Sequence, residues 1–168
     1  MSSELKYPTN SAGLYFGKMQ NILLSYIYKW NRYYYENLNI VPFKDKKSIR
    51  HTVETSKYFY NKKGAFFYRV SGKKADSYKI VKLIINPEYI SEGFEIAEQF
   101  LGRLVKKAVM NKIPTIYWTI RDTVNEPMKE FVRKHFYDAG RAQFQGGRGK
   151  PLDPSLCYYT IYKIDVKF

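Results

Sequence analysis

Two carboxylates stand where predicted strands end, and a carboxylate in that position is a candidate general base. Glu88 follows the apolar run of residues 83–85, and Asp122 follows the β-branched and aromatic run of residues 116–121. Open α/β sheets bind ligands beyond the carboxyl ends of their strands. Glu88 and Asp122 are therefore our candidate bases.

Other chemically active side chains are scarce. His51 and His135 are the only histidines, and neither has a carboxylate at the helical spacing that recruits zinc. Cys157 is the only cysteine, so no intramolecular disulfide can form, and we interpret it as a buried thiol in a reducing compartment. The sequence has no P-loop, no Gly-x-Ser-x-Gly elbow and no paired-carboxylate motif. We predict no metal site.

Positive charge is the strongest binding signal. The chain has 29 Lys and Arg against 15 Asp and Glu, a net charge of +14. Such an excess attracts polyanions, and nucleic acid is the partner that we expect. Basic and aromatic residues alternate in segments 30–35 and 57–63, a combination that suits single strands or flipped bases. The alternative is that the lysines only keep a tyrosine-rich surface in solution.

The candidate nucleic-acid-binding residues are the cations of these segments and of the polar loops: Lys46, Lys47, Arg50, Lys57, Lys62, Lys63, Lys73, Lys74, Arg141, Arg148 and Lys150.

The composition is that of one folded domain. Of the 168 residues, 45% are hydrophobic and 18% aromatic, which is enough to build a core. We predict a flexible N-terminal arm at residues 1–17 and a single domain at residues 18–168. No run approaches the ~20 apolar residues of a membrane span, and the N-terminus lacks the features of a signal peptide. We expect a cytoplasmic protein, in a cell or in an infected host, with no membrane partner.

The hydrophobic pattern gives the elements that must position these side chains. Helical spacing predicts helices at residues 18–36, 45–61, 93–111 and 126–139. Strands are predicted at residues 65–70, 78–85, 113–121, 141–145 and 156–166. This order predicts an α/β (α+β) fold, with a mixed, mostly antiparallel central sheet flanked by about four helices.

The order of elements from residue 65 onward resembles the GNAT superfamily of N-acyltransferases. The specific match is Leu-Ile-Ile-Asn-Pro-Glu-Tyr-Ile-Ser-Glu-Gly-Phe at residues 83–94, which resembles the family's fourth strand end, its Pro-x-Tyr turn and its acyl-CoA loop. Asn125, the helix after it and Phe-Tyr-Asp-Ala-Gly at residues 136–140 are similar to the family's Asn…Tyr-x-x-x-Gly segment.

The resemblance implies an acyltransferase with a donor such as acetyl-CoA or another acyl compound. It implies donor-binding positions at Ile85, Asn86, Gly93 and Phe94. It also implies roles in catalysis for Asn125 and for Tyr137, the latter as general acid to a leaving thiolate.

The match departs from the family at several positions. Ile90 stands where the family has Arg or Gln, Glu95 stands where it has a second small residue, and Phe136 stands at the place of the catalytic Tyr, with Tyr137 next to it. Residues 83–102 contain no Lys or Arg and four glutamates, at positions 88, 92, 95 and 98. Carboxylates repel a pyrophosphate, although in the first turn of a helix they also stabilise the helix. These departures count against ordinary acetyl-CoA binding.

We therefore expect a GNAT-like group-transfer protein that acts on or near nucleic acid. Phage DNA-modification proteins related to this superfamily are a precedent for such an activity. One alternative is a non-catalytic nucleic-acid-binding protein of a virus or phage that retains the fold. A third interpretation is a conventional acetyl-CoA-dependent amine N-acetyltransferase.

Overall fold

The computed structural model describes residues 9–121, 126–143 and 158–168. The α-helices of this part are α1 (Thr9–Tyr33), α2 (Lys46–Thr55), α3 (Gly93–Met110) and α4 (Glu126–His135). A π-helical turn, Tyr34–Leu38, follows α1, and a 3₁₀ segment, Pro87–Glu92, precedes α3. The strands are β1 (Lys57–Asn61), β2 (Gly64–Ser71), β3 (Ser77–Ile85), β4 (Thr115–Arg121), β5 (Tyr137–Gln143) and β6 (Tyr158–Asp165).

The strands of the described residues form a six-stranded sheet in the order β1-β2-β3-β4-β6-β5. Strands β3 and β4 are parallel, from Ser77 opposite Thr115 to Ile80 opposite Trp118. The pairs β4–β6 and β5–β6 are antiparallel. A parallel pair needs a long crossover, and α3 lies in that connection. The predicted fold class, a mixed and mostly antiparallel sheet with helices, is confirmed.

The chain divides into two compact units. Of the described residues, the first unit comprises 9–67 and 82–96, and the second comprises 68–81, 97–121, 126–143 and 158–168. In the first unit, α1 and α2 pack against each other. Helix α1 buries an apolar stripe at helical spacing, and β2 buries consecutive aromatic side chains. The buried core residues of this unit include Leu23, Ile27, Trp30, Tyr34, Ile49, Val53, Phe66 and Phe67.

The second unit has its own core of helix and strand side chains. Trp118 of β4 packs edge-on against Phe136, with ring centroids 6.2 Å apart. Its other buried residues include Phe100, Leu104, Ala108, Ile116, Ile120, Phe131 and Val132. Among the described residues, no helix combines the length and the apolar character that a bilayer span requires.

Three predicted helix boundaries were wrong. Helix α1 begins at Thr9 rather than at residue 18, and α2 ends at Thr55, where the prediction continued to residue 61. Residues 57–61 form β1 instead, because Ser56 is extended and Tyr58 and Phe59 pack on Phe67 and Phe66 of β2. Aromatic residues fit either a helical or a strand pattern, so the sequence left this segment ambiguous.

The fourth helix ends at His135 and not at residue 139, because Tyr137 already pairs with Lys163 at the start of β5. The register of β5 and β6 shifts between Asp138 and Arg141, where Gly140 has a φ of +123°. Glycine takes this conformation at low steric cost. Gly140, the residue that follows the predicted helix, therefore marks a bulge in a strand.

The start of α2 is fixed by a side-chain cap. Asp45 is extended, and its Oδ1 accepts a 2.8 Å hydrogen bond from the backbone N–H of Ser48. This hydrogen bond holds the pKa of Asp45 below its ordinary value. A carboxyl group whose pKa is lower in the folded than in the unfolded state stabilises the fold at any pH above its unfolded pKa of about 3.9. That stabilisation is lost as the pH falls through the pKa of the folded state.

We predict that Asp45→Ala lowers the melting temperature by a few degrees at neutral pH, since it removes the cap acceptor. Asp45→Asn keeps an equally good acceptor, so its melting temperature at neutral pH should match the wild type. Below about pH 4 the wild type should lose stability relative to Asp45→Asn, because only the carboxyl becomes protonated. Calorimetric melting of the three proteins across this pH range checks the prediction. Equal acid sensitivity of wild type and Asp45→Asn would contradict it.

Candidate functional site

The turn between β3 and α3 is held by one side chain, Asn86. Its Nδ2 donates to the carbonyl oxygen of Lys62 at 2.7 Å, and its Oδ1 accepts from the N–H of Glu88 at 3.1 Å. Its backbone N–H donates to Lys63 O, and its carbonyl accepts from the N–H of Tyr89, both at 2.8 Å. The β1–β2 turn and the 3₁₀ segment are thereby joined.

The residue before it, Ile85, is also engaged within the protein. Its carbonyl oxygen accepts a 2.7 Å hydrogen bond from the hydroxyl of Tyr34, and burial raises the pKa of Tyr34 to about 12. Ile85 and Asn86 were predicted as donor-binding residues, and the structure gives both an architectural role. No feature of the sequence indicated the Tyr34 contact, because the two residues are 51 positions apart.

The start of α3 carries the remaining predicted donor-binding residues, Gly93 and Phe94. Gly93 has ordinary helical angles, and its N–H donates to the carbonyl of Ile90. A Cβ at Gly93 would lie 3.8 Å from Cγ1 of Ile85, which is an ordinary contact, so the packing there tolerates a side chain. The side chain of Phe94 is exposed.

Two of the four glutamates that follow β3 are paired with cations. Glu92 lies 3.1 Å from Nζ of Lys63 in the first unit. Glu98, in the second unit, accepts from Lys134 at 3.2 Å and contacts His135 Nε2 at 2.9 Å. The hydrogen bond from Lys134 holds the pKa of Glu98 below its ordinary value. Glu88 and Glu95 are exposed.

These residues do not fit the pyrophosphate of coenzyme A. Helix N-termini bind phosphate through unsatisfied N–H groups, often with a nearby cation. Here the N–H of Gly93 is already hydrogen-bonded to the carbonyl of Ile90. Ile90 is 51% exposed, and its side chain has no hydrogen-bond donor. Lys63 is paired with Glu92. The exposed carboxylate of Glu95 adds repulsion at the same helix end.

Tyr137 is the candidate acid that the structure describes best. Its hydroxyl donates to Oδ1 of Asp165 at 2.9 Å, and this hydrogen bond raises the pKa of Tyr137, so its phenol is protonated at neutral pH. Its neighbour Phe136 is buried against Trp118 and belongs to the core.

Four predicted site residues lie outside the described residues. They are the catalytic candidates Asp122 and Asn125 and the predicted phosphate contacts Arg148 and Lys150. In the described part of the chain, no group of three or more His, Cys, Asp or Glu residues is placed to hold a metal ion.

The predicted nucleic-acid-binding cations occupy several elements. Lys46, Lys47 and Arg50 are exposed on α2, Lys57 begins β1, Lys73 and Lys74 lie between β2 and β3, and Arg141 is exposed on β5. Lys62 and Lys63 form the β1–β2 turn, and their Nζ atoms lie 5.9 and 5.4 Å from the ring centre of Tyr89.

A cavity of about 670 Å³ opens within the first unit, between α1, the β1–β2 turn and the 3₁₀ segment. Of the predicted site residues, it brings together Lys62, Asn86 and Glu88. The sequence did not indicate Tyr26 and Lys29 as lining residues, because nothing in it showed what this face of α1 meets. Trp30, Arg32 and Tyr33, which also line the cavity, belong to the segment 30–35 that was predicted to bind nucleic acid.

No family model and no curated protein matches the sequence. The fold, in contrast, is similar to that of many solved acetyltransferases. The ribosomal-protein-S18-alanine N-acetyltransferase of Escherichia coli superposes with a TM-score of 0.58 at 12% identity, covering 86% of this chain and 88% of that one. An N-acetyltransferase of Staphylococcus aureus Mu50 has a TM-score of 0.58 at 16% identity, covering 89% and 94%.

A GNAT family acetyltransferase of Elizabethkingia anophelis with acetyl-CoA bound has a TM-score of 0.53 at 11% identity, covering 72% of this chain and 83% of that one. At such low identity the likeness concerns the arrangement of helices and strands. The predicted family resemblance is confirmed at this level: the chain has the fold of the GNAT N-acyltransferases.

Proposed function

We propose that this protein transfers a small group of the acyl type to an acceptor on, or close to, nucleic acid. The observation that carries the acyl-transfer part of this proposal is the fold. The structural matches to two N-acetyltransferases cover 86% and 89% of the chain. The net charge of +14 supports the nucleic-acid part, because phosphates are the commonest polyanionic partner of so basic a domain.

The proposed chemistry is acyl transfer with Tyr137 as the proton donor. A nucleophilic nitrogen or oxygen of the acceptor forms a bond to the acyl carbon and gives its proton to water, the bond to the leaving group breaks, and the leaving group takes a proton from Tyr137. The phenol of Tyr137 is protonated at neutral pH, and its hydroxyl turns from Asp165 to the leaving group to deliver that proton. A phenolate beside Asp165 is unfavourable, and because Tyr137 is 47% exposed it regains a proton from water.

A second candidate is a protein that binds nucleic acid without catalysis. The poor fit of coenzyme A at the start of α3 favours it, above all the exposed Ile90 and the Gly93 N–H that is bonded internally. Both candidates require nucleic-acid binding, and only the first requires a chemical product.

We predict that nucleic acid from cells expressing the wild-type protein contains modified bases. Tyr137→Phe should reduce the modification by about a hundredfold or more, the usual contribution of a general acid. Tyr162→Phe is the matched control, because Tyr162 on β6 is among neither the predicted binding residues nor the predicted catalytic residues and its loss of a hydroxyl should leave the yield unchanged. Mass spectrometry of hydrolysed DNA and RNA measures the product.

Unmodified bases with the wild-type protein would rule out the transfer reaction on nucleic acid. Acetylated small amines together with unmodified bases would favour a conventional amine acetyltransferase instead. A modified base that persists in Tyr137→Phe would remove Tyr137 from the proposed mechanism.

We also predict that wild-type protein binds acetyl-CoA weakly and that Ile90→Arg, combined with Glu95→Ala, binds it about tenfold more tightly or better. The substitutions add a donor for the pyrophosphate and remove a repelling carboxylate, and a charge-assisted hydrogen bond contributes about 1.5–3 kcal/mol. Val109→Arg is the control, since it adds the same charge at an exposed position near the other end of α3.

Isothermal titration calorimetry measures the three affinities. Tight binding by the wild type that the double substitution does not improve would show that the start of α3 already holds the donor.

A further inference from the structure

One wall of the cavity in the first unit is a stack of aromatic rings. Tyr26 and Trp30 of α1 stack with ring centroids 5.8 Å apart and planes 11° from parallel. Trp30 is buried, with 4% exposure, whereas Tyr26 is 45% exposed and so forms the outer ring of the stack. Tyr33, one turn after Trp30, also lines the cavity and is 47% exposed. Planar groups can therefore stack on this wall.

Another part of the lining joins an aromatic ring to a cation, Lys62. Tyr89 lines the cavity from the 3₁₀ segment, and Lys62 and Lys63 lie over its ring. The hydrogen bonds of Asn86 to the carbonyls of Lys62 and Lys63 fix this turn against the segment. A wall held by backbone hydrogen bonds is organised before a ligand arrives, which lowers the entropic cost of binding.

The charged groups that line the cavity favour an anion. Arg32 and Glu36 pair with each other at 3.3 Å, so their charges largely cancel. Lys29 and Lys62 remain, against the single exposed carboxylate of Glu88. The ligand that matches this lining carries a flat aromatic group and a negative charge.

The volume of about 670 Å³ lies within the 300–1,000 Å³ that is typical of small-ligand sites. A purely apolar ligand would leave the lysines desolvated without a partner, at an energetic cost. A nucleotide satisfies both parts of the lining, because its base stacks on aromatic rings and its phosphate attracts lysine.

We propose that this cavity binds a nucleotide of a single-stranded nucleic acid, with the base stacked on Tyr26 and the phosphate held by Lys29 and Lys62. The inference rests on the proposed function, which supplies the nucleic-acid partner. It adds where on the protein the nucleic acid binds and that the bound strand is single. It extends the basic surface predicted from sequence, since Tyr26 and Lys29 lie outside the predicted segments, whereas Tyr33 belongs to the predicted segment 30–35.

The test is the binding of a short, fluorescently labelled single-stranded oligonucleotide, followed by anisotropy at low salt. Tyr26→Ala should weaken binding by about tenfold, as expected for the loss of one stacked base, and Tyr26→Phe should restore it because the ring is kept. Lys29→Gln and Lys62→Gln should each weaken binding severalfold. Lys106→Gln and Phe168→Ala are matched controls at exposed positions outside the cavity and outside the predicted binding residues, and both should bind like the wild type.

Displacement of the oligonucleotide by AMP, but not by inorganic phosphate at the same concentration, supports a site that recognises the base. Equal displacement by phosphate overturns the proposal, because charge alone would then be recognised. Should Tyr26→Ala fail to fold, as judged by circular dichroism, the two lysine variants and the AMP competition still decide the question.

The outcomes separate this inference from the proposed function. If the wild type binds the oligonucleotide and the cavity variants bind equally well, the cavity is not the site and the proposed function stands. If the wild type binds no oligonucleotide at low salt, the nucleic-acid part of the proposed function fails and this inference fails with it.

Discussion

The hydrogen bonds of Asn86 are the interaction on which the rest of the candidate site depends. One side chain and its peptide groups bind two carbonyls of the β1–β2 turn and two N–H groups of the 3₁₀ segment. Backbone groups in irregular segments must find partners if they leave water, and here a single amide supplies several of them. The lysines of the turn are consequently held over Tyr89, and Lys62 and Tyr89 both line the cavity.

Positive charge on this chain lies away from the helix end where the GNAT fold would hold the donor's pyrophosphate. The helix end that would hold the donor's pyrophosphate has an exposed isoleucine, an exposed glutamate and a glycine N–H already in use. Positive charge is abundant elsewhere, on α2, on the β2–β3 connection and around the cavity. The N–H of Gly93, bonded to Ile90, is not free to bind an anion there, whereas Lys29 and Lys62 line the cavity.

Periodicity was enough to predict the fold class and much of the architecture. The apolar stripe of α3 and the β2–β3 hairpin were placed to within a few residues, because each pattern fits only one secondary structure. Strand β1 was missed, since Tyr58 and Phe59 suit either a helix or a strand and only their packing on β2 decides between them. The change from α4 to β5 was missed for a similar reason, because Gly140 marks a strand bulge and not a helix end.

The candidate site was less predictable than the fold. Sequence reasoning placed Lys62, Asn86 and Glu88 among functional residues, and all three line the cavity. It did not foresee that Asn86 and Ile85 are engaged inside the protein, because their partners are distant in sequence. Of the lining residues of α1, Trp30, Arg32 and Tyr33 fall in the predicted segment 30–35. Tyr26 and Lys29 were not predicted, since a helical face is polar and aromatic for many reasons until its neighbour is known.

The central claim is that lysines of the first unit hold the phosphates of a single-stranded nucleic acid. The most direct measurement is the salt dependence of oligonucleotide binding, for wild type and for the Lys29→Gln, Lys62→Gln double variant. Each neutralised phosphate contributes about 0.7 to the slope of log K against log salt for single strands, so the double variant, which loses the phosphate held by both lysines, should have a slope shallower by about 0.7. An unchanged slope, or no binding by the wild type at low salt, would contradict the account.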